Sequence, residues 1–484
     1  MSDRYDLVVL GGGTAGLVSA FIAAGVGARV ALIERERTGG DCLWTGCVPS
    51  KSLIATAHLA HRMRHADRVG LTPIEPQVDF TRVMDRVHAT IAEIEPHDSP
   101  ARLRAAGVEV IEADGRFTDA GTLEADGRRL RFSAAIVATG SQPSTPPIPG
   151  LGGDDVFTTD DIWHLRRLPA RLIILGGGPV GCELGQAFAR LGANVTIVEL
   201  ADRLLLKEEP DAGALVAKRL TADGIDVRLG TRAIELRRPD RAPKHLIVED
   251  GDGRRQIEFD AILVVAGRRP RTDGAGLQAA GVQLDKRGAV VVDQRLRTSV
   301  PRIYAAGDVT ASMPFTHVAA HHARVASINA LLGMRRTIDQ TIPWVTFTDP
   351  EVARVGLTEA QARARHGDRA IIARSDYATL DRAITEGEND GFALLVADPK
   401  RRLVGATIAG PGAGEVIAEL TAHIKAGNRI DAVSTTVHAY PTLAEGPSRA
   451  ADEHLRERYA AARYRAAVRP VLAVRRALAM RGHG

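Results

Sequence analysis

Three cysteines in 484 residues are too few for a disulfide framework, which excludes the small stapled extracellular folds. No apolar run reaches the length that a membrane-spanning helix needs. The opening Met1-Ser2-Asp3-Arg4-Tyr5 runs straight into a strand pattern and leaves no room for a secretory apolar segment. Neither sign of charge dominates. Lys and Arg number 63 against 59 Asp and Glu, a net charge of +4, so no polyanionic partner is implied. Nucleic-acid motifs are missing throughout. What is left has the composition of a soluble globular chain, 45% apolar and 25% charged, long enough for about three domains. The cytoplasm is the expected compartment.

Two of the three cysteines stand together in Gly39-Gly40-Asp41-Cys42-Leu43-Trp44-Thr45-Gly46-Cys47-Val48-Pro49-Ser50-Lys51. Gly39 and Gly40 permit a sharp turn. Asp41 is placed to cap a helix starting near Cys42, whose N-terminus would lower a thiol pKa, and Pro49 would kink that helix. A structural zinc needs four ligands, and only Cys182 and scattered histidines remain to supply them. Cys182 reads as a packing residue. The tight pair points to redox chemistry.

The pair follows a nucleotide-binding unit. Residues 6–10 read as a buried parallel strand, followed by Gly11-Gly12-Gly13-Thr14-Ala15-Gly16, an Ala-rich helix to about Ala24, and a second strand at 29–33 ending at Glu34. In this dinucleotide fingerprint Gly11 makes the turn, Gly13 admits the pyrophosphate and Gly16 lets helix and strand pack. Glu34 takes the ribose hydroxyls. The pattern recurs: a strand at 172–175, then Gly176-Gly177-Gly178-Pro179-Val180-Gly181, a helix from Cys182 to Leu191, and a strand at 194–198 ending at Glu199. Two fingerprints mean two dinucleotides, a combination that suits hydride transfer between a nicotinamide and a flavin. Gly176, Gly178 and Gly181 belong to the second. A carboxylate at Glu199 accepts a hydrogen bond from a ribose 2′-hydroxyl and repels a 2′-phosphate. Leu200 and Ala201 follow it, and Arg203 is the sole nearby cation, so NADH is expected over NADPH.

The cysteine segment resembles the active-site disulfide of the class I flavoprotein disulfide reductases, a family that includes dihydrolipoamide dehydrogenase, glutathione reductase and mercuric reductase. Their segment reads GGTCxNxGCxPSK. This chain departs at Asp41 and at Trp44-Thr45, which predicts a bulky ring at the thiol's approach. Further motifs fall in the family's order. Thr139-Gly140-Ser141 matches the turn that closes the first FAD segment. Gly267-Arg268-Arg269-Pro270 resembles the GRxPN turn but ends in Arg271. Ile303-Tyr304-Ala305-Ala306-Gly307-Asp308 resembles the second FAD motif, with Asp308 on a ribityl hydroxyl.

By the same resemblance, Gly115 and His317 contribute to the FAD site, and the helix opened by Pro314-Phe315-Thr316-His317 starts near the isoalloxazine. That helix carries His321 and His322, which cannot share one face, so at least one is expected in solvent. Lys51 pairs with Glu183 beside the flavin N5.

The resemblance thus implies an α/β fold with two Rossmann-like doubly wound domains, for FAD and NAD(P), plus a C-terminal α+β dimerisation domain. FAD takes 1–145 and 271–335, NAD(P) takes 146–270, and the interface domain takes 340–460, in a homodimer. A basic tail follows at 461–484. Residues 52–105 read as helices, 108–117 with 122–132 as a β-meander, and the proline-rich 143–149 as a linker.

The implied reaction passes hydride from NADH through FAD to a Cys42–Cys47 disulfide. Cys47 stays beside the flavin and Cys42 attacks a disulfide or metal-ion substrate. Near the end stands Val437-His438-Ala439-Tyr440-Pro441-Thr442-Leu443-Ala444-Glu445. Dihydrolipoamide dehydrogenase and glutathione reductase place a catalytic histidine immediately before this proline. Here Tyr440 holds that place, as a tyrosine often does in mercuric reductases, and Glu445 matches the family's glutamate. Tyrosine is a poorer base than histidine, which weighs against efficient lipoamide or glutathione reduction. Strand alternation would set His438 on the same face as Tyr440, roughly 7 Å away. His438 is either a substitute base or a structural histidine. A diaphorase or quinone reductase in which the cysteines are secondary, and a non-catalytic complex component, are the competing readings.

The tail from Arg463 has no acid and carries Arg465, Arg469, Arg475, Arg476 and Arg481, with Val471, Val474 and Leu478 on one helical face. Contact with a membrane or partner is possible, but a frayed, solvated terminus is the favoured expectation. The residues 463–484 contain no cysteine pair of the kind with which mercuric reductases end, and a cysteine-bearing metal domain ahead of the first strand is not expected.

Overall fold

The computed structural model describes residues 4–240, 242–460 and 462–481. The chain divides into two compact units: Met1–His65, Pro73–Leu204 and Leu220–Gln340 form one; Ala66–Thr72, Leu205–Arg219 and Thr341–Gly484 form the other.

In the first unit, the apolar run of Arg4–Leu10 becomes the centre of a parallel sheet. It pairs on one side with Val30–Glu34 and on the other with Arg128–Val137, and Glu109–Glu112 lies beyond Val30–Glu34. Leu7, Val8, Val9, Leu32 and Ile136 are fully buried there. Each such side chain contributes about 1.5–3 kcal/mol by leaving water. Strands Gly115–Asp119 and Thr122–Ala125 extend the sheet as an antiparallel meander. The segment 109–112, read as part of that meander, instead joins the parallel layer. Ile303–Ala305 returns much later to pair parallel with the end of Arg128–Val137, which completes the doubly wound layer.

A second parallel sheet runs Asp226–Arg228, Asn194–Val198, Arg171–Leu175, Ala261–Val264 and Val156–Phe157, with a separate three-stranded antiparallel sheet over 232–258. The chain leaves the first layer through Ser141–Pro143 and comes back through Arg268–Pro270, and these two crossings pair antiparallel with each other. Of the stretch read as a linker, 143–149, only Pro143 lies in a strand, and the rest is irregular.

The second unit is built on a five-stranded antiparallel sheet, ordered Pro343–Thr346, Glu351–Gly356, Leu403–Gly410, Phe392–Ala397, Ile371–Asp376. Residues 205–219, inside the 146–270 span expected for NAD(P), belong to this unit. Glu208 explains why. It makes a buried ion pair with Arg354 at 3.0 Å and accepts from the Trp344 indole at 2.6 Å, while the Arg354 guanidinium stacks over that ring at 4.1 Å.

Two local expectations change. The 437–442 stretch is a loop, not a strand, and carries a cis Tyr440–Pro441 peptide, so alternation does not govern His438. Proline at 441 removes a ladder donor, which a strand interior does not tolerate. The tail, expected as a frayed, solvated terminus, is a solvated helix, Ala462–Arg481, with Pro470 inside it. Gly482, His483 and Gly484, which close the tail, lie outside the described residues. Among the described residues, no helix is long and apolar enough to cross a membrane.

Candidate functional site

The redox segment folds as two helices rather than one. Gly39, at φ +104, turns the chain into the short helix Gly40–Trp44; a new helix, Cys47–Arg64, begins at Cys47. Asp41 does not cap. Its carboxylate is paired with the Arg268 guanidinium. Pro49 does not kink, because it sits in the first turn, where its missing N–H has no partner to lose. The break puts Cys47, not Cys42, at the N-terminus of the long helix.

Both cysteines are free thiols, Cys42 half-buried and Cys47 exposed. Their thiols hydrogen-bond to each other, and this bond is the largest cause of a split in acidity. Cys47 is brought down to about 6, with further help from the Thr316 hydroxyl 3.5 Å away and from the Lys51 charge. Cys42 is pushed well above the ordinary thiol range by donating that bond and by burial. A helix N-terminus favours the same thiolate. The third thiol, Cys182, is buried, bonds to the Gly177 carbonyl at 3.5 Å and is pushed up by burial, as befits packing.

Lys51 lies one turn along the helix from Cys47. Its ammonium stands 2.7 Å from the Glu183 carboxylate, which comes from the second fingerprint's helix, Pro179–Arg190. Glu183 is buried.

The expected dinucleotide residues gather as two cradles. Gly11, Glu34, Gly115 and Thr139 line one cavity of about 550 Å³. In each fingerprint the first and last glycines are required by the protein itself. A methyl group on Gly16 would stand 1.8 Å from the Gly11 carbonyl oxygen, and one on Gly181 2.0 Å from that of Gly176. The middle glycines differ. A methyl on Gly178 would meet nothing within 4 Å, and one on Gly13 only the Gly40 Cα at 3.7 Å. Nothing in the polypeptide demands glycine there, whereas a close-lying pyrophosphate does. The residues therefore fit FAD in the first cradle and a pyridine nucleotide in the second. Glu34 and Glu199 take the same pose: each accepts from the amide of the second glycine, at 2.6 and 2.5 Å, and from the amide two residues on, at 2.8 Å.

Around the crossing strands, the Arg268 guanidinium donates to Ser141 Oγ at 2.8 Å, and that hydroxyl donates to Asp308 at 2.8 Å. Burial raises Asp308. Gly140 accepts from the Arg271 amide at 2.9 Å, and Gly267 accepts from that of Ser144 at 3.0 Å. His317 is exposed, its ring stacked on Phe315. His322 is buried, accepts weakly from the Gly307 amide at 3.4 Å and is lowered to about 4 by burial, while His321 accepts from the Asp339 amide at 2.8 Å. Both rings are used by the backbone, and of the two it is His321, only partly buried, that retains exposure to solvent. No cluster of three or more His, Cys, Asp or Glu able to hold a metal occurs among the described residues.

The Trp44 indole is held against its own loop, donating to the Thr38 carbonyl at 2.7 Å beneath the Arg37 guanidinium. It lines a cavity of about 310 Å³ together with Trp163.

In the second unit, Tyr440 is exposed and its hydroxyl donates to Asp381 at 2.8 Å, which raises its pKa. Glu445 accepts from the Thr442 amide at 3.3 Å. The His438 ring is clamped by both Glu419 oxygens, at 3.0 and 3.1 Å. Three participants are not apparent from local sequence: Thr316, which reaches Cys47, and the paired Arg268 and Asp41; the signal for the pair is an acid in the family's threonine position together with the Arg268-Arg269 run.

Residues 5–323 match the pyridine nucleotide-disulphide oxidoreductase model, and 342–451 match the dimerisation domain of the same enzymes. The chain belongs to the pyridine nucleotide-disulphide oxidoreductases. It is a flavoprotein that moves electrons between a pyridine nucleotide, FAD and a disulfide. The dimerisation domain makes it a homodimer.

A mercuric reductase of Streptomyces lividans is 37% identical over 91% of this chain and 94% of its own length. A dihydrolipoyl dehydrogenase of Thermus scotoductus is 35% identical over 93% and 97%. Among solved structures, the HOCl-induced flavoprotein disulfide reductase RclA from Escherichia coli superposes with a TM-score of 0.82 at 28% identity, covering 93% of this chain and 99% of that one.

Proposed function

We propose that this oxidoreductase takes hydride from NADH and delivers the electrons through Cys42 and Cys47 to a thiophilic metal ion or a small disulfide, the metal ion being favoured. The placement of the two thiols carries this reading: Cys47 opens the long helix beside Thr316 and one turn from the Lys51–Glu183 pair, and Cys42 donates to it. FAD, when bound, accepts hydride and passes an electron pair to the cysteines. Cys47, the more acidic of the two, is the member that stays at the cofactor, and Lys51 and Thr316 hold its charge. Glu183 fixes the Lys51 ammonium so that it serves both groups. Cys42 is the exchanging thiol. On a disulfide, it forms a mixed disulfide and releases one thiolate; Cys47 then attacks Cys42, releases the second and re-forms the Cys42–Cys47 bond. On a soft cation, the two sulfurs bind in place of their protons, and passing their electron pair to one Hg(II), or to two Cu(II), leaves the Cys42–Cys47 disulfide and releases the reduced metal.

Preference for the metal ion rests on the second unit. An alkyl thiolate leaving group needs a proton donor that recharges near neutral pH. Tyr440, which stands in the place before Pro441, is moved away from that range by Asp381. A soft cation asks for no such proton. The poses of Glu199 and of Leu200 and Ala201 after it support NADH. A reducing, cytoplasmic setting suits an enzyme that must regenerate free thiols. The test is acceptor-dependent NADH oxidation with Hg(II), Cu(II), lipoamide, glutathione disulfide and a quinone. The Cys42→Ser, Cys47→Ser double variant should lose metal and disulfide turnover and keep dye reduction. Undiminished Hg(II) and Cu(II) turnover in that variant would return the reading to a diaphorase.

A further inference from the structure

The helix Ala462–Arg481 lies past the last residue of the dimerisation-domain match, at 451. Its sequence contains arginines at 463, 465, 469, 475, 476 and 481 and no acid. Its twenty residues span about 30 Å. Residues 465–480 are exposed throughout, and large apolar side chains are among them: Val468, Val471, Leu472, Val474, Leu478 and Met480. Met480, one turn beyond Arg476, stands apart; the other five are not scattered. Val468, Val471 and Leu472 follow helical i, i+3, i+4 spacing, and Val471, Val474 and Leu478 continue the same stripe. Arg465, Arg469 and Arg476 form a second stripe directly beside it. The remaining side is small: Ala466, Ala473 and Ala477, with Pro470 among them, where its missing N–H interrupts neither stripe. Arg475 emerges within the apolar stripe, as a long side chain does when it lies along apolar material and extends its charge to a polar boundary.

We propose that this helix lies flat on an anionic phospholipid surface, the apolar stripe in the acyl boundary and the arginines at the phosphates. The occupant follows from the two stripes taken together. A nucleic acid would satisfy the arginines and leave the apolar side chains in water. A second copy of the helix would cover the apolar side chains and bring arginine against arginine. An anionic bilayer interface serves both at once. The chain then binds to, and does not span, the membrane.

The test is co-sedimentation of the full-length protein with phosphatidylcholine vesicles and with vesicles of phosphatidylcholine and phosphatidylglycerol, at low and high salt. NADH-dependent dye reduction reports folding in every variant. Binding should require phosphatidylglycerol and fall with salt. Arg469→Gln with Arg476→Gln should weaken it about tenfold or more, at roughly 1 kcal/mol for each arginine. Val471→Asp with Leu478→Asp should abolish it while dye reduction is unchanged. Equal sedimentation with both vesicle types would overturn the proposal. So would binding that survives the Val471→Asp, Leu478→Asp change, which would point to charge alone and is checked by binding of duplex DNA. Tail-dependent assembly beyond the dimer without vesicle binding would assign the helix to a second copy instead.

Discussion

The Lys51 ammonium stands 2.7 Å from a buried Glu183 carboxylate that belongs to the other nucleotide fingerprint. The two charges act on Cys47 in opposite directions: Lys51 lowers its pKa and Glu183 raises it. Lys51→Met should therefore raise the Cys47 pKa, and Glu183→Gln should lower it further. Iodoacetamide alkylation of the reduced enzyme across a pH series reads both shifts. Same-direction shifts in the two variants would contradict this arrangement.

The wild-type profile has its own signature. Cys47, at about 6, should reach half its maximal alkylation rate near that pH, because only the thiolate reacts. Cys42, whose thiol is pushed up by the bond it donates to Cys47 and by burial, should alkylate more slowly than Cys47 over the same range. Peptide mapping of the alkylated protein at neutral pH should find label on Cys47.

The glycines give a contrast in one motif type. Gly16→Ala drives a methyl into the Gly11 carbonyl and should cost roughly 1–3 kcal/mol of stability, with loss of flavin. Gly178→Ala meets nothing in the protein. It should leave the melting temperature and flavin content near wild type and weaken NADH binding, measured by fluorescence titration.

Glu199 sets cofactor choice. Removing a charged acceptor of a ribose hydroxyl costs on the order of 1.5–3 kcal/mol. Glu199→Ala should therefore narrow the NADH over NADPH ratio of kcat/KM by about tenfold or more. An unchanged ratio would remove Glu199 from the preference.

Tyr440→His should restore a base of near-neutral pKa before Pro441. It should raise disulfide turnover, add a break near pH 6.5 to the profile, and leave metal-ion turnover unaltered. No gain with any disulfide would remove the argument from Tyr440.

Much of this was legible in the chain. Buried parallel strands announce themselves as continuous apolar runs, and the fingerprints place Gly11, Gly16, Glu34 and Glu199 because backbone packing leaves no alternative. Lys51 and Glu183 needed the resemblance, since 132 residues separate them and no local rule joins them. The Asp41 misreading had a physical cause. An acid at a helix start caps by default, but a nearby arginine competes for it, and Arg268 is 227 residues away in sequence. His438 failed for a related reason: period-two spacing has meaning only in a strand, and the cis Tyr440–Pro441 turn is not one. The tail helix was undervalued because its arginines and valines give no local stop signal and no partner to pack on.

The central claim is that an electron pair resides on Cys42 and Cys47 after leaving the flavin. Anaerobic reductive titration of the purified protein counts it. Wild type should take up two electron pairs per chain, one on FAD and one on the cysteines, and the Cys42→Ser, Cys47→Ser variant should take up one. Equal uptake by the two proteins would contradict the account.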